Sequence, residues 1–149
     1  MPRTKRKPNE LKDMWEEHLT YEIEMLRAVV REFGRWRDHS RFTRNLLIES
    51  FAIHVRNLIE FLWPEGEPNK DQVIAEDFLD RPRQPRPQHL RKAYRRVSQE
   101  VTHLTYARSH VTREGKRWEV ALGHEIERAF DEFVDAIPAE TRAMLGPRR

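Results

Sequence analysis

From Ser40 to Trp63 the chain is apolar on two adjacent stripes, a pattern that suits a helix buried over most of its circumference. Leu47, Phe51, Leu58 and Leu62 form one stripe; Ile48, Ala52, Val55 and Ile59 form the other. Pro64 sets the end, because the residue before a proline is pushed out of the helical region. Glu65-Gly66-Glu67-Pro68-Asn69 then reads as a loop. A helix this apolar needs amphipathic neighbours to cover it, and the rest of the chain provides them.

The first neighbour runs from about Asn9 to Phe33. Leu11, Trp15, Leu19, Leu26, Val29 and Phe33 keep the three-four spacing of one helix face, with Glu22 as a polar interruption. Asp71 is placed to cap a short helix over Gln72 to Leu79. The next long helix opens with Pro87 in its first turn, where proline is tolerated, and extends to about Val111. Its buried stripe is Leu90, Tyr94, Val97, Val101 and Leu104. The last long helix spans Trp118 to Ile137, ended by Pro138, and Thr141 to Leu145 reads as a final turn. No segment alternates with the period of a strand. The expected fold is all-α: an up-and-down four-helix bundle with one or two short extra helices, over residues 9–145. The basic, proline-flanked tail 1–8 is expected to be disordered.

Composition narrows the function classes. With 36% charged and 38% hydrophobic residues, the core must be lean. Cysteine is absent, which excludes disulfides, thiolate metal sites and a thiol nucleophile. No stretch approaches the roughly 20 apolar residues of a membrane span. The opening Met-Pro-Arg-Thr-Lys-Arg-Lys-Pro lacks the apolar centre of a signal peptide, so a cytoplasmic protein without a membrane partner is expected. Neither a phosphate-cradling glycine loop nor a Gly-x-Ser-x-Gly elbow occurs, and no cofactor is expected.

The net charge of +3 conceals strong segregation. No acidic residue lies between Asp80 and Glu100, an interval that carries Arg81, Arg83, Arg86, Arg91, Lys92, Arg95 and Arg96. The last long helix is acidic, with Glu119, Glu125, Glu127, Asp131, Glu132 and Asp135. Internal neutralisation accounts for this division as well as an anionic ligand does. For an RNA ligand, Arg91, Lys92 and Arg95 are the candidate phosphate contacts.

Several polar residues do not fit a core. Glu49, His54, Arg56 and Asn57 punctuate the apolar helix, and Glu49 and Arg56 share a face. They form either an ion pair that fixes helix register or a polar pocket in which Arg56 holds an anion and Asn57 orients it. Arg108 falls on a buried stripe and needs a carboxylate, with Glu49 the candidate. Glu100-Val-Thr-His103 has the spacing of one half of a di-iron site, but no second Glu-x-x-His exists. A mononuclear centre built from His54, His103 and Glu49 is the remaining metal arrangement, and none is expected. Acid-base chemistry on a histidine is what the chain retains.

Leu47-Ile48-Glu49-Ser50-Phe51, His54-Val55-Arg56-Asn57-Leu58, Val73-Ile74-Ala75-Glu76-Asp77-Phe78 and His103-Leu104-Thr105-Tyr106 together resemble a group of small bacterial proteins without an assigned activity. Arg96 through His103 resembles the Arg-x(4–6)-His signature of the HEPN superfamily of helical bundles, many of them metal-independent ribonucleases of defence and toxin-antitoxin systems. Val97 stands where that signature usually has a polar residue. The resemblance implies RNA cleavage through the 2′-hydroxyl, with His103 as general acid or base, Arg96 stabilising charge on the phosphorane, and a homodimer completing the site. The competing expectation is a non-catalytic homodimeric interaction or adaptor protein.

Overall fold

The computed structural model describes residues 6–82, 84–102 and 118–146. These are mostly helical, and no strand occurs among them, so the protein is all-α. Helix α1 (Pro8–Asp13) passes through a π-helical stretch, Met14–Leu19, into α2 (Thr20–Phe33). Then follow a 3-10 turn (Trp36–Asp38), α3 (Arg41–Leu62), a second 3-10 turn (Ala75–Phe78) and α4 (Gln88–Val97). The chain continues from α4 into another π-helical stretch, Ser98–Thr102. Helices α5 (Val120–Asp135) and α6 (Ala139–Leu145) complete the described chain.

The doubly apolar helix forms where its end signals put it. The Ser40 side chain accepts from the Thr43 N–H at 3.1 Å, and Trp63 closes the last turn by donating to Ile59 at 2.9 Å. Helix α3 packs against α2, α4 and α5, with Phe51, Ala52, Val55, Leu58 and Ile59 sealed from solvent. Leu47 and Ile48, at the outer end of the same stripes, are only partly buried. Phe61, Phe78 and Phe133 meet edge-on, Phe61 and Phe133 with centroids 5.0 Å apart, and Phe130 tilts against Phe133 at 5.6 Å. Gly123 lets α5 close on its neighbours. A Cβ there would stand 2.6 Å from Val30 Cγ2 and 3.0 Å from the Phe51 ring.

Three elements depart from the sequence expectation. The helix expected from Pro87 to about Val111 is α-helical over Gln88–Val97 and turns π at Ser98–Thr102. The segment read as a helix from Gln72 to Leu79 is helical only as the 3-10 turn Ala75–Phe78. Asp71 does not cap it. Asp77 reaches back instead to the Ile74 N–H at 3.1 Å, while Gln72 and Asn69 close a separate turn upstream. The first long helix is also not uniformly α. Its π stretch is wider by a residue per turn, and Thr20 Oγ1 bonds the Trp15 carbonyl at 2.8 Å within it. After this change of phase Ile23, not Glu22, faces the core. Glu22 is rotated toward α3, which sets up the polar cluster described below.

Candidate nucleic-acid interface

Apart from Arg83, which lies outside the described residues, the cations of residues 81–96 divide into three groups by their surroundings. Arg86 is 4% exposed and belongs to the interior. Held between Pro85 and Pro87, it extends to the end of α3. Its Nε donates to the Trp63 carbonyl at 2.7 Å, a helix-terminal acceptor with no partner further along the helix. One terminal nitrogen donates to Glu60 at 2.8 Å, the other to Glu65 at 3.3 Å. Gln72 occupies the second Glu60 oxygen at 2.8 Å. The guanidinium also lies 4.4 Å from the centre of the Tyr94 ring. Arg86 therefore anchors the segment before α4 to the end of α3.

Arg91 and Arg96 form the second group, each half-engaged at the surface. Arg91 pairs with Glu65, the carboxylate that also meets Arg86. Arg96 donates to Glu100 at 3.0 Å, one turn further on, and its guanidinium lies 4.1 Å from the centre of the Trp118 ring. Arg81, Lys92 and Arg95 make up the third group. They are exposed, and none meets a carboxylate among the described residues. Arg91, Lys92 and Arg95 follow helical spacing, so they form one basic ridge along the outer side of α4.

Immediately after Arg96 the helix changes to the π form over Ser98–Thr102. Such insertions re-aim the side chains that follow and are frequent at functional sites. His103 lies outside the described residues, as does Arg108.

The polar group on α3 is arranged differently from either sequence expectation. Glu49 is exposed on the outer side of α3. His54, 6% exposed, bonds through Nδ1 to Glu22 at 2.7 Å. Asn57 donates to the other Glu22 oxygen at 3.1 Å, and the Tyr21 ring packs edge-on to His54 with centroids 5.7 Å apart. Glu22 thus engages His54 with one oxygen and Asn57 with the other. Asn57 is therefore committed to Glu22, while Arg56 points elsewhere. Its guanidinium lies 5.2 Å from the Tyr94 ring centre, and its Nε is shielded from solvent without a hydrogen-bond partner.

Glu22, Glu60, Tyr94 and Trp118 carry these arrangements and were not singled out as site residues from sequence. Glu60 shares the stripe of Arg56, Tyr94 lies on a buried stripe and Glu22 breaks an otherwise apolar one, but the sequence shows none of their partners. Part of the acidic last helix is engaged internally: Asp131 pairs with Arg27 at 2.8 Å, and Glu125 hydrogen-bonds His89 at 2.7 Å. Among the described residues, no three metal-ligating side chains converge, and no helix is long and apolar enough to cross a membrane.

No family model matches the chain, and no curated protein or solved structure matches it.

Proposed function

We propose that this protein is an RNA-binding helical bundle of HEPN-like type that cleaves RNA without a metal ion. The observation that carries this reading is the exposed ridge on α4. Lys92 and Arg95 have no carboxylate partner among the described residues, and Arg91 shares its partner with Arg86. Unneutralised cations at helical spacing suit successive phosphates of a single strand. Arg96, at the end of the ridge, is steadied by Glu100 and Trp118. In this reading it stabilises the charge that develops on phosphorus, and His103 moves the proton. The reading includes an up-and-down arrangement of four helices, a homodimer that completes the site, a role in defence or toxin-antitoxin systems, and a cytoplasmic location. Cleavage of mixed RNA in excess chelator, by parent and His103→Ala, tests it.

A second reading rests on a different surface. Phe42, Leu46 and Ile53 are 71%, 48% and 42% exposed, and their spacing places them along one side of α3. An apolar stripe of this kind favours a non-catalytic homodimeric or adaptor protein that docks through α3. RNA binding in the absence of cleavage would leave this surface as the centre of the protein's role.

A further inference from the structure

Two arginines approach the ring of Tyr94, and they differ in one respect. Arg86 is fully compensated by Glu60, Glu65 and the Trp63 carbonyl. Among the described residues Arg56 has no such compensation. Its nearest acidic neighbour along α3, Glu60, has one oxygen bonded to Arg86 and the other to Gln72. Glu22, on α2, is occupied by His54 and Asn57. Arg56 is half-buried, its Nε is closed off from water, and no hydrogen bond or ion pair reaches its guanidinium among the described residues. Removing a guanidinium from water without an anion is unfavourable, so arginines in this setting are normally paired. Stacking on Tyr94 fixes the plane of the group but does not neutralise its charge.

We infer that Arg56, seated on Tyr94, is the binding site for a phosphate group supplied from outside the chain. A planar guanidinium with free donors recognises phosphate by paired hydrogen bonds. Tyr94 belongs to α4, and helical spacing puts Arg91 and Arg95 on the flank of that helix next to it. A phosphate held by Arg56 therefore lies beside the basic ridge, and further phosphates of the same strand continue along it. That the phosphate belongs to an RNA strand rests on the function proposed above; the anion site does not.

The test uses the full chain, with inorganic phosphate and a labelled oligouridylate as separate probes. Phosphate at about ten times its dissociation constant should raise the melting midpoint of the parent by about 3 °C over chloride of equal ionic strength. Arg56→Gln should lose that rise, yet in chloride it should melt no lower than the parent, because the charge it removes is uncompensated. Arg56→Lys, which keeps the charge without the fork, should recover part of the rise. For the oligouridylate, Arg56→Gln should bind about tenfold more weakly. No phosphate-specific rise in the parent, or an equal rise in Arg56→Gln, overturns the site. A rise lost in the variant, with no oligonucleotide binding by the parent, supports the site and removes the RNA reading. Equal oligonucleotide binding by parent and variant overturns the assignment to an RNA phosphate while leaving RNA binding in place.

Discussion

Arg86 donates to Glu60 at 2.8 Å from a side chain that is 1% exposed, and this contact joins the segment preceding α4 to the last turns of α3. Arg86→Ala removes the hydrogen bond to Trp63, both carboxylate contacts and the packing on Tyr94. Loss of one member of a buried pair costs about 3–5 kcal/mol, and here the lower end applies because Glu60 and Glu65 keep contact with water. Urea unfolding should show a midpoint shift equivalent to about 3 kcal/mol. A loss below about 1 kcal/mol would place Arg86 at the surface with its neighbours.

Glu22 holds two donors from α3, so its removal leaves both without an acceptor. Glu22→Ala should destabilise the fold by about 1–3 kcal/mol, whereas Glu22→Gln, which keeps one acceptor oxygen, should cost less. Chemical denaturation of the two variants against the parent measures the difference. Equal stability of all three would show that the cluster adds nothing to the α2–α3 contact.

Cleavage chemistry is read by degradation of mixed RNA in excess chelator. His103→Ala should abolish cleavage and leave binding nearly intact, while Arg96→Ala should slow cleavage by roughly 10²–10³-fold, the usual effect of removing one charge-stabilising group. Activity equal in parent and His103→Ala would point to a different site.

The helices were legible because their signals are local. Ser40 and Pro64 bracket α3 from adjacent residues, and Pro138 lies just past the end of α5. The extent of the turn at Ala75–Phe78 was less legible, because an aspartate that caps from within competes with one that caps from before. The role of Arg86 could not be read at all. In sequence it is one more cation of a basic run, and only the fold brings Glu60, Glu65 and Tyr94 to it. The polar residues of α3 were recognised as out of place in a core, but their partner lies on α2. It was hidden by the π stretch, which rotates Glu22 off the stripe to which regular spacing assigned it. Arg56 shows the opposite outcome: the anion-holding alternative raised from sequence keeps its arginine but loses Asn57 to Glu22.

RNA binding by the α4 ridge, through the phosphates, is what the proposed function most depends on. Its most direct test is the salt dependence of oligouridylate binding by the parent and by Lys92→Ala/Arg95→Ala. Each phosphate contact on a single strand contributes about 0.7 to the slope of log affinity against log salt. The parent should show a steep slope, reduced by about 1.4 in the double variant, together with weaker binding by the variant at every salt concentration. Parent binding that is absent, or unchanged in slope and strength by the double substitution, would contradict it.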